Sequence, residues 1–229
     1  MTTSATNAPA CVGVIMDGNR RFARERGLPL LEGHRQGYEK LKEVVDWCKE
    51  AGVKSLIVYA LSIENWNRAP EEVAYLLDLF RIVIRDEVAK LHKEKVAVRF
   101  IGDLSRFPAD LQEMMRETER HNPKDAEHTL GIASSYGGRS EVLHAANVLR
   151  EHGEEATEES FSRALFTHGI PDPDIIIRTG GEMRLSGFLP WQSVYSELFF
   201  VPTYWPAFSK KEFTDILEQY ASRERRFGK

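Results

Sequence analysis

The sequence predicts a single α/β domain on a mainly parallel, six-stranded sheet flanked by helices. Two observations carry that prediction. Six short runs rich in β-branched and apolar residues recur along the chain, and between them lie longer segments with the apolar period of helices. A third observation sets the domain count: no repeat, low-complexity tract or linker divides the 229 residues, which are enough for one substantial core.

Taken in order, residues 1 to about 10 are small and polar and read as a loose tail, leaving 11–229 as the domain. The strands fall at 12–16, 55–61, 96–101, 129–133, 174–178 and 197–201. Several are almost wholly apolar, as strands covered on both faces are. Tyr38, Leu41, Val44, Val45 and Cys48 recur at helical spacing before Ala51-Gly52, so a helix closed by a glycine cap is predicted there. Val73, Leu76, Leu77, Phe80, Val83 and Ile84 mark a second, longer one. Further helices are predicted over 108–121, 140–150, 158–166 and 210–227, with the acidic stretch 151–159 as a solvated surface segment.

Bulk properties narrow the function classes. A formal net charge of −4 gives no basic field to gather nucleic acid, so any phosphate recognition must come from locally placed arginines. The two cysteines, Cys11 and Cys48, lack CxxC or Cys/His spacing, which argues against a disulfide framework or structural zinc and fits a reducing cytosol. No apolar run approaches the ~20 residues needed to span a bilayer. The expected location is cytoplasmic.

Ligands of open α/β sheets bind beyond the carboxyl ends of the strands, and those ends are chemically rich here. Asp17-Gly18-Asn19-Arg20-Arg21 offers a carboxylate, a glycine and two guanidiniums at a strand-to-helix turn, a pattern suited to a diphosphate and a metal ion. Asp and Asn at such a turn also serve as helix caps. Arg178, Arg184 and Ser186 surround a glycine turn and suit a second anion, since a guanidinium fork binds phosphate oxygens bidentately; such turns also arise without function. Glu197 lies in an apolar run and needs a metal or cationic partner, a buried salt bridge being the alternative. His34 opens a helix, where it could donate to phosphate or simply cap. Spacing alone makes the charged C-terminus a solvated helix end.

Together these segments resemble one family, the cis-prenyltransferases of the undecaprenyl diphosphate synthase type. The resemblance rests on MDGNRRFA (16–23), GHRQG (33–37), YALSIENWNR (59–68), IGDLSRF (101–107), SYGGR (135–139), IIRTGGEMRLSGFLPWQ (176–192), YSELFF (195–200) and RERRFG (223–228), and covers nearly the whole chain from Val12. It implies an enzyme that extends an allylic diphosphate, such as farnesyl diphosphate, with isopentenyl diphosphate to give a cis-polyprenyl diphosphate. Asp17 is then the catalytic magnesium ligand, with Glu197 as the second. Gly18, Asn19, Arg20 and Arg21 cradle the allylic diphosphate, with Phe22 and His34 lining the same pocket. Ser62, Ile63, Glu64, Asn65, Trp66 and Arg68 form a segment that closes over substrate, in which Asn65 is associated with proton removal. Arg178, Arg184, Leu185 and Ser186 bind isopentenyl diphosphate, and Arg226 and Gly228 reach that site across a homodimer. The growing chain is expected in an apolar tunnel between the sheet and the helices around 38–48 and 73–91, with Glu94 and His128 at its floor. Contact with the membrane surface completes the expectation.

The chain departs from the family pattern at Leu30, where an arginine for the allylic diphosphate is usual, and at Met183, Ser135 and Gly187. Leu30 leaves open a short-chain or irregular, head-to-middle synthase on the same fold. A non-catalytic subunit of a hetero-oligomer is the rival outside enzymes, set against the presence of Asp17, Arg21, Arg178 and Arg184. The terminal motif yields a test: Arg226→Ala should raise the isopentenyl diphosphate KM far more than the allylic one. Steady-state kinetics check it, and unchanged kinetics on truncating 224–229 would reduce the tail to a solvated helix end.

Overall fold

The structure is a computed structural model that describes residues 8–223; Arg226 and Gly228 lie outside the described residues. Its sheet has six parallel strands, β1 (Cys11–Ile15), β2 (Ser55–Ser62), β3 (Val96–Ile101), β4 (His128–Tyr136), β5 (Ile175–Arg178) and β6 (Glu197–Phe200), in the order β3-β4-β2-β1-β5-β6. The helices are α1 (Asn19–Glu25), α2 (Leu30–Glu50), α3 (Pro70–Asp86), α4 (Val88–Lys93), α5 (Ala109–Arg120), α6 (Gly138–His152), α7 (Glu158–Ala164) and α8 (Lys210–Ser222).

Strand side chains alternate between faces, and that alternation divides the core in two. Val12, Val14, Leu56, Val58, Val96, Val98, Ile175 and Ile177 enter one cluster with Val44 and Trp47 of α2, Leu76 of α3, Leu111 of α5 and Phe213 of α8. Cys11, Ile15, Ile57 and Ile176 join Ile170, Phe188 and Leu189 on the opposite face. Burial on both sides accounts for the continuous apolar reading of these strands. Cys11 and Cys48 are free and buried, which pushes both thiols well above their ordinary value and leaves them unreactive.

Boundaries differ where apolar pattern alone was the guide. The fourth strand runs on to Tyr136 because Ser134 and Ser135 are buried in it; the Ser134 hydroxyl donates to the Ile132 carbonyl at 3.0 Å. Helix α2 starts at Leu30, ahead of the apolar signal at Tyr38, because its first turns face α1 rather than the core. Gly33 permits that approach: a Cβ there would lie 2.2 Å from the Asn19 carbonyl oxygen. The chain is already tied at Ala10, whose amide donates to Asp174 Oδ2 at 2.7 Å.

Strand order places the site. The chain moves outward from β1 through β2, then crosses to β1's other side with β5, so β1 and β5 flank the switch point where open sheets bind ligands.

Candidate active site

At the carboxyl end of β1 the chain turns through Gly18, with φ +105°, and a Cβ there would also meet the Tyr204 ring at 2.6 Å. The turn is fixed from both sides: the Asp17 carbonyl accepts from Thr179 Oγ1 at 2.7 Å and from the Trp205 amide at 2.9 Å. Its carboxylate is thereby aimed at two guanidiniums. Oδ2 accepts from Arg178 Nη2 at 2.9 Å, and Oδ1 lies 3.0 Å from Arg21 Nη2. Burial pushes the Asp17 carboxyl up, but the hydrogen bond from Arg178 and the charge and hydrogen bond of Arg21 outweigh it, holding it below the ordinary value. Asp17 is therefore ionised at neutral pH, and the ion pair's contribution is lost only as pH falls through that depressed value.

Beside this turn lies a polar cavity of about 750 Å³, its open mouth included, walled by Met16 to Arg21 together with Arg24, His34 and Arg68. Four guanidiniums face it, enough positive charge for a diphosphate. Met16, Asn19 and His34 also line a second, apolar cavity of about 650 Å³ between the sheet and helices α2 and α3. Ala60, Phe100 and Ile132 form its sheet wall, and Leu41, Leu76, Phe80 and Val83 its helix wall. A further chamber of about 610 Å³ shares Tyr38, Leu41, Val83, Ile84, Phe100 and Ile132 with it and ends among charged residues that include Glu94, which pairs with Lys49 at 2.7 Å. His128 sits elsewhere, with Nδ1 2.9 Å from the Val53 carbonyl oxygen. Apolar space thus lies where the tunnel is expected, with Glu94 on the wall of the further chamber and His128 outside both.

The segment after β2 forms a 3-10 turn, Ile63–Asn67, over the site. Arg68 reaches the cavity, its Nη1 donating to Glu72 Oε1 at 2.8 Å. Trp66 is held by its indole N–H, which donates to Ser135 Oγ at 3.0 Å, and by an edge contact with Phe107. Ser135 thus has a positioning task in this chain. Ile63 packs over Gly137, and Glu64 is exposed. The Asn65 carboxamide oxygen already accepts from the Ser62 amide at 3.0 Å, so in this arrangement it caps the turn.

Arg178 is 4% exposed and bridges the β1 turn and the β5 loop. Besides Asp17 it reaches Ser186 Oγ through Nη1 at 2.8 Å and bonds the Arg184 carbonyl, while its Nε has no hydrogen-bond partner among the described residues. Arg184 pairs with Glu182, whose other oxygen lies 3.6 Å from Arg21 Nη1. A line of alternating charge therefore joins the β5 loop, with Leu185 packed against the core beneath it, to the cavity at β1.

Two expectations are not met within one chain. Phe22 faces away from the cavity, 6% exposed, with the Arg26 guanidinium 3.8 Å above its ring. Glu197 opens β6 opposite Ile175, at the far end of the strands from Asp17, and its Oε2 accepts from Arg223 Nη1 at 2.9 Å. Its carboxylate has the salt-bridge partner that an apolar run demands. Sequence reasoning also missed Arg24 and Glu72. Their signals were helical spacing: Arg24 follows Arg20 by one turn of α1, and Glu72 follows Arg68 by one turn into α3.

No group of three or more metal-binding side chains occurs among the described residues. Magnesium does not require one, because it keeps waters and commonly takes one or two carboxylates plus substrate phosphates. An ionised Asp17 on the wall of an arginine-rich cavity fits that mode.

Comparison with known proteins agrees with this geometry. Residues 15–228 match the family described as "Putative undecaprenyl diphosphate synthase". An isoprenyl transferase of Agrobacterium fabrum is 44% identical, covering 99% of this chain and 95% of the relative. One of Thermotoga maritima is 46% identical over 96% of this chain and 97% of the relative. Among solved structures, lavandulyl diphosphate synthase from Lavandula x intermedia, in complex with dimethylallyl diphosphate, has a TM-score of 0.91 at 33% identity, covering 97% and 99% of the two chains. A probable undecaprenyl diphosphate synthase from Campylobacter jejuni gives 0.83 at 32%, over 97% and 100%. The chain belongs to the undecaprenyl diphosphate synthase family of cis-prenyltransferases.

Asp17→Ala should lower turnover by roughly 10³-fold or more while circular dichroism stays that of the wild type. Near-normal turnover at saturating magnesium would remove Asp17 from the chemistry.

Proposed function

We propose that this cis-prenyltransferase makes a medium- or long-chain cis-polyprenyl diphosphate, a lipid-carrier precursor, from isopentenyl diphosphate and an allylic primer such as farnesyl diphosphate. One observation carries the reading: the arginine-walled cavity and the apolar cavity lie side by side, with Met16, Asn19 and His34 lining both. A diphosphate head and a hydrocarbon tail are thereby sorted by chemistry. The two apolar chambers, each within the range of a whole small-molecule site (roughly 300–1,000 Å³), favour a product longer than a short-chain one.

In this reading the allylic C–O bond breaks as Arg20, Arg21, Arg24 and Arg68 take the charge of the departing diphosphate. Four guanidiniums remain on the wall despite Leu30. Isopentenyl diphosphate, held by Arg178 and Ser186, presents its double bond to the allylic carbon, and the condensation ends with loss of a proton. Asn65, already occupied by the Ser62 amide, leaves that proton to a diphosphate oxygen. Magnesium shared between Asp17 and phosphate oxygens would neutralise further charge on the leaving group.

A homodimer is part of the proposal, supported by exposed apolar residues around edge strand β6: Val194 and Tyr195 before it and Leu198 on it, 69%, 80% and 42% exposed. No helix among the described residues is long and apolar enough to cross a membrane. We place the enzyme in the cytoplasm, handing its apolar product to a membrane surface. A short-chain or irregular synthase is the second reading, supported by the 0.91 TM-score to lavandulyl diphosphate synthase and by Leu30.

Incubating the chain with a panel of labelled allylic diphosphates, with and without labelled isopentenyl diphosphate, then sizing the dephosphorylated products, separates the two; a product limited to two isoprene units, or one formed from the allylic diphosphate alone, supports the second. Ala60 lines the tunnel near its mouth. Ala60→Leu should shift products to shorter chains with a modest loss of initial rate, because added volume obstructs the hydrocarbon without touching the diphosphate sites. An unchanged length distribution would refute this tunnel path.

A further inference from the structure

Glu72 is a buried carboxylate in the first turn of α3, 8% exposed, and none of the steps above uses it. It gathers donors from three parts of the chain. His34 Nε2 of α2 lies 3.2 Å from Oε1, Arg68 Nη1 donates to the same oxygen at 2.8 Å, and Arg20 Nη1 of α1 lies 3.9 Å from Oε2. His34, Arg68 and Arg20 all wall the arginine-rich cavity, whereas Glu72 does not line it and sits behind them. The other two cavity guanidiniums are outside its reach: Arg21 is committed to Asp17 and Glu182, and Arg24 has no ion pair among the described residues.

A buried carboxylate without partners would be costly, and so would clustered cations around an empty pocket; each settles the other while no ligand is present. A diphosphate brings several negative charges to the same donors, and Glu72 then stands as a like charge behind them. Its presence lowers the affinity of the cavity for any diphosphate. That matters in repeated condensation, because each addition leaves one pyrophosphate that must depart before the lengthened chain can re-enter. We propose that Glu72 is a positioning residue acting by anion exchange: it holds Arg68, Arg20 and His34 in the empty site, yields them to the incoming diphosphate, and reclaims them as pyrophosphate leaves. This rests on the cavity being the allylic diphosphate site.

The sign of the effect tests it. Glu72→Gln keeps shape and an acceptor oxygen but removes the charge. Titration calorimetry with inorganic pyrophosphate should show binding roughly five- to tenfold tighter than wild type, a gap that narrows as salt is raised. Product inhibition by pyrophosphate should strengthen by the same factor, with the isopentenyl diphosphate KM held within about twofold. Glu72→Asp, which keeps the charge, should bind pyrophosphate nearly as wild type does. Unchanged or weaker binding by Glu72→Gln, or equal tightening by Glu72→Asp, would show that Glu72 acts through packing alone and overturn the proposal. Failure of the wild type itself to bind pyrophosphate would instead overturn the reading of the cavity, and this inference with it.

Discussion

The ion pair between Asp17 and Arg178 is the contact on which the rest of the site depends. Arg178 ends β5 and Asp17 follows the end of β1 by two residues, and the two central strands meet at the point where the order of the sheet reverses. Parallel pairing brings both ends to one edge, but the guanidinium fork converts proximity into a fixed relation. One arm holds the carboxylate beside the cavity and the other holds Ser186 in the β5 loop. The β1 turn and the β5 loop are thereby registered against each other by a single, nearly inaccessible side chain.

The fold separates polar from apolar work along one axis. At the strand ends lie arginines held in place by three carboxylates, Asp17, Glu72 and Glu182, which leave an excess of positive charge facing the cavity. Under them, α2 and α3 stand off the sheet and leave an apolar space instead of packing shut. Such a void costs stability, since its lining residues lack partner atoms. A ligand's hydrocarbon tail would restore those contacts, which couples occupancy of the tunnel to the stability of the helices around it.

Much of this was legible in the sequence. Burial of the central strands β1, β2 and β5 on both faces produced apolar runs, and the shorter or alternating runs of the edge strands stood out between helical segments; the turns after the strands carried Asp17, Arg21, Arg68, Arg178 and Ser186 into one region. What escaped notice depended on tertiary relations. Phe22 lies within the cradle motif yet faces the other way, because α1 turns that side toward its own buried contacts. Glu197 could be read as needing a cationic partner, but not that the partner would be Arg223, 26 residues further on and just past α8. Glu72 resembled any acid in a first helical turn until His34 and Arg20 arrived from elsewhere.

The central claim is that one guanidinium serves both diphosphate sites, and Arg178→Lys tests it most directly. A lysine keeps the charge but offers a point donor in place of a fork, so it can hold Asp17 or Ser186 but not both. Steady-state kinetics with each substrate varied should show the isopentenyl diphosphate KM rising and kcat falling together, for a loss in kcat/KM of roughly 100-fold. Wild-type kinetics, or a change confined to the isopentenyl diphosphate KM, would contradict the account.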